Sequence, residues 1–241
     1  MKRVKYGESE RNFFELYSPR EKNGVAVVVH GGGFTRGSVS SKNTLTLVEF
    51  FLSRGYTVAN LEYRLCPEVK WPTPLRDIEN GVKRVFEYLE GVKGNSIYVG
   101  SSAGATAGAI LIYSPPDGTG LGKYFDGFIG LSGVYNLKYL PRNFEEEFRR
   151  ACDVSNNPIE FKDIVSNVPA LLIHGKEDPL DSVGGEVNNH AEYLREKLSS
   201  KGVRVKVLSV PGGHDAPISS IRNGDSKVIN EIERFLRGNS R

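Results

Sequence analysis

The chain has 241 residues, which is enough for one large α/β domain, or two small ones, with a proper core. Its 32 basic and 29 acidic residues leave a net charge of +3 and are well interspersed, which argues against nucleic acid or an anionic membrane as a partner. No apolar run approaches the length of a membrane span, and none follows the charged amino terminus as it would in a signal peptide.

Strand patterns and helix patterns alternate along the chain. The β-branched run at residues 25–29, for example, is typical of a strand buried on both faces. This alternation predicts a mostly parallel sheet with helices on both faces, and since no linker-like stretch divides the chain we predict a single domain over residues 1–241. Strands are predicted at residues 3–6, 12–17, 25–29, 57–63, 95–99, 125–131, 170–173 and 203–210, and helices at 45–54, 75–89, 103–112, 191–198 and 226–236.

The least regular stretch is residues 135–167, where the pattern suggests short amphipathic helices near 144–148 and 159–161. Its place after a sheet strand is where a lid over a site would lie. A plain surface connection is the alternative, and the pattern does not separate the two.

The two cysteines, Cys66 and Cys152, lie far apart in the sequence and form no spaced metal-binding cluster. We therefore predict two reduced, mostly buried thiols in a cytoplasmic protein, with a disulfide between them as the alternative.

A turn of small residues, 100–104 (GSSAG), lies between a predicted strand and a predicted helix. In this setting Gly-x-Ser-x-Gly presents a nucleophilic serine on a sharp turn. The residues two before and two after such a serine must lack bulk. Gly100 and Gly104 satisfy this for Ser102, whereas Ser101 has Val99 and Ala103 at the same offsets. Ser102 is therefore the nucleophile candidate, although the motif alone also fits an ordinary turn with this serine as a helix N-cap.

A serine nucleophile needs a base to accept its proton, and the chain has four histidines. His214 lies in a glycine-rich loop after the last predicted strand, from which an imidazole can reach a nucleophile, so it is the candidate. His190 falls in a polar helical segment and is predicted to be on the surface. His174 ends a strand and is predicted to be structural, and His30 begins the glycine loop described below.

The base in turn needs an acid, and three carboxylates follow the predicted strand at 170–173: Glu177, Asp178 and Asp181. Asp178 precedes a proline, which favours an extended conformation at the turn. Spacing alone leaves Asp178 only slightly ahead of the other two.

Residues 30–34 (HGGGF) open the loop after the first buried strand. Three glycines let backbone N–H groups approach a ligand without a Cβ in the way, as an oxyanion hole requires. A phosphate-binding loop is the rival, but neither Gly-x-Gly-x-x-Gly nor a Gly-Lys-Ser/Thr ending is present. A further donor would be the amide of Ala103, at the start of the helix after the turn at residues 100–104, which we call the elbow.

The candidates follow one another as glycine loop, Ser102, Asp178 and His214, which is the chain order of α/β-hydrolases. On these motifs, together with residues 63–68 (YRLCPE) and 72–77, the chain resembles the α/β-hydrolase superfamily. Within it, the similarity is to the hormone-sensitive-lipase-like esterases and the kynurenine formamidases. The resemblance covers most of the chain.

The resemblance implies an α/β-hydrolase fold, with a minimal cap because few residues precede the glycine loop. It also implies Asp178 as the acid of the triad and the amides of Gly32, Gly33 and Ala103 as the oxyanion hole. Residues 63–77 match a family motif that mainly supports the fold.

We therefore predict a serine hydrolase that cleaves small, short-chain carboxylic esters through an acyl-enzyme, with no metal or organic cofactor. An arylformamidase acting on amides of the N-formylkynurenine type is the alternative. Ser101 stands where lipase-like esterases have Asp and formamidases often have His, and Phe34 where formamidases commonly have Trp, so the subfamily stays open. A hydrolase-fold protein that binds without turnover is a third interpretation. The expected partner is a small ester or amide, not nucleic acid or a membrane, and a homodimer through an edge strand is also open.

Overall fold

The computed structural model describes residues 1–20, 23–90, 94–116, 118, 120–155, 157–183, 186–187 and 189–238. These residues form ten strands and seven α-helices. The strands are β1 (Lys2–Lys5), β2 (Phe13–Tyr17), β3 (Gly24–Val29), β4 (Tyr56–Leu61), β5 (Asn95–Ser101), β6 (Gly127–Leu131), β7 (Ala170–Gly175), β8 (Ser182–Val183), β9 (Glu186–Val187) and β10 (Val205–Val210). The helices are α1 (Lys42–Leu52), α2 (Thr73–Tyr88), α3 (Ala103–Tyr113), α4 (Arg142–Cys152), α5 (His190–Ser199), α6 (Ala216–Arg222) and α7 (Ser226–Gly238).

The described residues form one eight-stranded sheet in the order β1-β2-β4-β3-β5-β6-β7-β10. The pairs β1–β2 and β2–β4 are antiparallel, and all other neighbours in the sheet are parallel. The predicted mostly parallel sheet is confirmed. Val29 lies opposite Gly100 in the β3–β5 pair, so the glycine loop and the elbow start from neighbouring strand ends.

Both faces of the sheet are covered, as predicted. In β3, Val25, Val27 and Val29 point into one core, while Ala26 and Val28 point into the other. Helices α2, α3 and α5 contribute side chains to the first core, and α1, α6 and α7 to the second. Helix α3 is buried along its whole length, which explains its lack of charged residues.

The elements that the sequence pattern missed are short. Helix α6 has seven residues, and β8 and β9 have two each, so none of them carries enough positions for a period to show. Within residues 135–167, helix α4 extends well beyond the predicted 144–148, and the predicted helix at 159–161 is not formed. None of the helices in the described ranges is long and apolar enough to cross a membrane.

The prediction of two reduced thiols is wrong. Cys66 and Cys152 are both buried, but they form a disulfide, with 5.1 Å between their Cα atoms. The bond joins the end of α4 to the segment after β4, two parts of the chain that are 86 residues apart in sequence. Sequence spacing could not show this proximity, because it is created by the packing of α4. The cytoplasmic location therefore stays a prediction, without the support of reduced cysteines.

Candidate active site

Ser102 lies at the junction of β5 and α3, with backbone angles φ 49° and ψ −118° that are unusual for any residue but glycine. The turn is as tight as the sequence predicted. A Cβ atom on Gly100 would lie 2.5 Å from the amide nitrogen of Ala105, and one on Gly104 would lie 2.3 Å from the carbonyl oxygen of Val29. Residues with a side chain cannot occupy either glycine position without moving the backbone.

The serine, histidine and aspartate predicted from the sequence are joined in a chain of hydrogen bonds. The Nε2 atom of His214 is 2.9 Å from Oγ of Ser102, across 112 positions of sequence, and its Nδ1 atom is 2.7 Å from Oδ2 of Asp178. Because a carboxylate only accepts, Nδ1 carries the hydrogen, and Nε2 is left with a lone pair for the serine proton. The aspartate side chain is buried, whereas the imidazole is 26% exposed and faces the cavity.

The two competing carboxylates have other partners. Glu177 accepts a hydrogen bond from the amide of Gly212, and Asp181 accepts one from the amide of His190 at 2.9 Å. The second oxygen of Asp178 accepts the amide of Leu180 at 2.9 Å, so both oxygens of this carboxylate have a donor.

The predicted oxyanion donors line the same cavity as Ser102. Gly32 and Gly33 have φ of +116° and +60°, a conformation that turns the loop back on itself, and Ala103 is the first residue of α3. The amide of Ser102 itself donates to the carbonyl oxygen of Leu131 at 2.8 Å and is thus engaged within the sheet. The amides of Gly32, Gly33 and Ala103 thus stay the predicted donors to a ligand at the serine.

The cavity over Ser102 has a volume of about 470 Å³. Much of its apolar wall comes from the segment after β6, and its polar wall comes from the glycine loop and from the starts of α1 and α6. The apolar wall includes Val134, Leu137, Leu140, Phe144, Phe148, Ile159 and Leu180, and the polar wall includes Arg36, Asn43 and Asp215.

Comparison with known proteins identifies the family of the chain. The BD-FAE family model matches residues 14–118. Kynurenine formamidase of Drosophila melanogaster is 31% identical over an alignment that covers 97% of this chain and 79% of that protein. The chain belongs to the kynurenine-formamidase-like group of the α/β-hydrolase superfamily.

This α/β-hydrolase is also similar to esterases. A probable isoprenylcysteine alpha-carbonyl methylesterase of Arabidopsis thaliana is 25% identical over 98% of this chain, which spans 55% of the length of that relative. The structure of an esterase of Pyrobaculum calidifontis superposes with a TM-score of 0.74 at 23% identity, and the match covers 92% of this chain and 80% of that one. The last match shows the shared fold. As a member of this superfamily, the protein is a hydrolase.

Glu62, which the sequence analysis did not single out, lies beneath the glycine loop of this hydrolase. Its carboxylate accepts hydrogen bonds from Nε2 of His30 at 2.8 Å and from the guanidinium of Arg11 at 2.8 Å. It also accepts the amides of Val39 at 3.2 Å and Tyr63 at 3.0 Å. The loop is thus fixed on both sides by one buried carboxylate. The signal available in the sequence was that Glu62 is the single charged residue of the strand predicted at 57–63.

The charge of Glu62 is stabilised by these partners. Burial pushes its pKa upward, but the hydrogen bond and charge of His30, the amide of Tyr63 and the charge of Arg11 outweigh burial and leave the pKa below its usual range. The other ring nitrogen of His30 lies 2.8 Å from the carbonyl oxygen of Gly31, so the ring joins the carboxylate directly to the glycine loop.

The two remaining histidines lie outside the triad. His174 is buried at the end of β7 and contacts the side chains of Ser209 at 2.7 Å and Asn189 at 3.0 Å, which fits its predicted structural role. His190 contradicts the prediction of a surface residue, since only 3% of it is exposed. It is the first residue of α5, and its side chain points inward. The polar residues around it in the sequence led to the prediction of an exposed side chain.

Proposed function

We propose that this hydrolase cleaves small, short-chain carboxylic esters through an acyl-enzyme. One observation carries the proposal: Ser102, His214 and Asp178 form a continuous hydrogen-bond chain at the edge of a cavity with an apolar wall. Such a chain makes a serine hydroxyl nucleophilic, because its proton has an acceptor as the oxygen attacks.

In the first half of the reaction, Oγ of Ser102 attacks the ester carbonyl and its proton moves to Nε2 of His214. Asp178 keeps the ring in the required tautomer and stabilises the imidazolium. The carbonyl oxygen, now negative, receives hydrogen bonds from the amides of Gly32, Gly33 and Ala103. Loss of one donor of this kind commonly lowers the rate by about 10²–10³-fold.

The first half ends when the imidazolium of His214 gives its proton to the leaving alcohol and the carbon–oxygen bond breaks, which leaves the acyl group on Ser102. A water molecule then attacks the acyl group on Ser102 and loses a proton to the same imidazole, which returns it to the serine oxygen as the carboxylic acid departs. No step calls for a metal or an organic cofactor.

We further propose that residues 135–167 act as a small lid over this site. Leu137, Leu140 and Phe144 from this segment line the cavity together with Phe148 and Ile159. Five apolar side chains from one insertion close off the acyl or alcohol side of a substrate, so this segment sets the length that the cavity accepts.

The alternative is an arylformamidase, favoured by the similarity to a kynurenine formamidase over nearly the whole chain. The same triad serves both reactions, since His214 can protonate a leaving amine as well as a leaving alcohol. A binding protein without turnover is the remaining alternative, and the intact hydrogen-bond chain argues against it.

The test compares kcat/KM of the purified protein for 4-nitrophenyl butyrate and for N-formylkynurenine, with Ser102→Ala as the matched control. We expect the short ester to be cleaved faster and the variant to cleave neither. Faster cleavage of the formamide would favour the alternative, and cleavage of neither by the unaltered protein would support a binding role.

A further inference from the structure

His190 occupies a buried position between the loop that carries Asp178 and the wall of the cavity. Its Nδ1 atom accepts the backbone amides of Tyr135 at 3.2 Å and Asn136 at 3.3 Å. Its Nε2 atom lies 3.1 Å from the carbonyl oxygen of Leu180. Because a carbonyl can only accept, the hydrogen is on Nε2 and the lone pair is on Nδ1. All three contacts are satisfied by one neutral tautomer.

Leu180 connects this ring to the triad. Its carbonyl oxygen accepts from His190, and its amide donates to Oδ1 of Asp178 at 2.9 Å, while Oδ2 of the same carboxylate faces His214. We propose that the neutral ring of His190 is a positioning residue that sets the orientation of the Asp178 carboxylate through Leu180. This inference rests on the proposed function, since it concerns the reactivity of the same serine.

The Nδ1 side of the His190 ring is connected to the part of the site that holds Ser102. The two amides that donate to His190 directly follow Val134, which lines the cavity. Val134 exchanges two hydrogen bonds with the hydroxyl of Thr106, at 2.8 and 3.1 Å. The same hydroxyl is 3.2 Å from the carbonyl oxygen of Ser102. The ring therefore lies between the acid side and the serine side of the site, connected to the first through Leu180 and to the second through the backbone of residues 134–136 and Thr106.

Protonation would break this arrangement, because a hydrogen on Nδ1 would point at two N–H donors. Burial lowers the pKa of His190, and the nearby His214 lowers it further. The carboxylates of Asp181 and Asp178 raise the pKa, but the effect of burial is larger. The ring of Tyr139 also packs 5.8 Å away. The ring is thus neutral near pH 7, which is the form that its three contacts require.

Two substitutions separate the contacts of the ring. His190→Asn keeps an acceptor near the Nδ1 position and loses the donor to Leu180, while His190→Gln reaches Leu180 with its amide. The backbone amide of residue 190, which donates to Asp181, remains in both. A matched control is Tyr193→Phe, which removes one hydroxyl from the same helix away from the triad.

The readout is the second-order rate at which a fluorophosphonate reacts with Ser102, measured across pH, because it does not depend on knowing the substrate. We expect the rate of His190→Asn to fall by about tenfold or more, since small displacements near a site cost up to about 10²-fold. His190→Gln should recover most of that loss, and the control should match the unaltered protein.

Equal rates and equal pH profiles in all four proteins would overturn the proposal. So would an equal loss in His190→Asn and His190→Gln when near-UV circular dichroism shows that both variants are folded. No reaction of the unaltered protein with the fluorophosphonate would instead refute the proposed function, and the role of His190 with it.

Discussion

At the scale of single residues, the orientation of His214 depends on one carboxylate whose two oxygens both have donors. Asp178→Asn keeps the size of the side chain but can present an N–H to the ring, which favours the wrong tautomer. We expect kcat for ester hydrolysis to fall by about 10⁴-fold, the loss seen when a triad aspartate becomes asparagine. Asp225→Asn, the same change at the start of α7, is the control and should have no effect on kcat. A loss below tenfold in the first variant would contradict the role given to Asp178.

Replacement of Glu62 should change the stability of the protein as well as its activity. Its pKa in the folded protein lies below the ordinary value of 4.5, so the folded state favours the carboxylate. The stability it contributes is therefore complete above that ordinary value and is lost as the pH falls through the lower pKa of the folded state. Glu62→Gln should be less stable at pH 7 by about 3–5 kcal/mol, as for other broken buried pairs.

The free energy of unfolding of Glu62→Gln and of the unaltered protein is measured as a function of pH. The difference between the two free energies should become smaller in acid. One of the two acceptor oxygens beneath the glycine loop becomes an NH2 donor in this variant and would face an N–H group, so kcat should also fall. A constant difference at all pH values would contradict the stabilised charge.

At the scale of elements, two loops must approach closely for the triad to form. Gly175 ends β7, and a Cβ atom there would lie 2.1 Å from the carbonyl oxygen of Gly213 and 2.3 Å from that of Gly212. Gly175→Ala would push the loop of His214 away from the loop of Asp178.

We expect Gly175→Ala to lower kcat by about 10²-fold, the cost of a displacement near 1 Å. The control is Gly202→Ala, where φ is +81° but no atom lies within 4 Å of the new methyl group, so it should cost about 1–2 kcal/mol of stability and no activity. Equal kcat in the two variants, measured per folded molecule, would argue against the tight contact.

Helix α4 is tied to the body of the protein by Cys66–Cys152, and its Phe148 packs against Phe34 and Trp71, with ring centroids 6.0 and 5.8 Å away. Replacing both cysteines by serine should lower the free energy of unfolding by about 2–5 kcal/mol. Because α4 lines the cavity, KM should rise more than kcat falls. Unchanged KM and unchanged stability in this double variant would show that the disulfide does not hold the helix in place.

Long buried elements could be predicted from the sequence because each carries several periods of its pattern. The β3 run and the amphipathic α2 are examples. The parallel pairing of β3 with β5 then brings the glycine loop and Ser102 to the same end of the sheet. The contacts of Glu62, His190 and the cysteines could not be predicted. Their partners come from other elements, and a charge or a histidine in sequence looks the same whether packing turns it inward or outward.

At the scale of the whole molecule, the cavity of about 470 Å³ limits the substrate. For 4-nitrophenyl esters of increasing acyl length, kcat/KM should peak at short chains and fall for long ones, because five apolar side chains from the segment proposed as a lid line the cavity and leave no room for a long chain. Faster cleavage of long-chain triglyceride emulsions than of soluble short esters would contradict this expectation.

A homodimer through an edge strand of the sheet stays a prediction that analytical ultracentrifugation can test.

The central claim is that Ser102 is the reactive oxygen. Intact mass and peptide mapping after treatment with a fluorophosphonate test it most directly, with Ser102→Ala and the neighbouring Ser101→Ala as matched variants. We predict one adduct per chain, on Ser102, absent from Ser102→Ala and present in Ser101→Ala. An adduct of equal yield in Ser102→Ala would contradict the account.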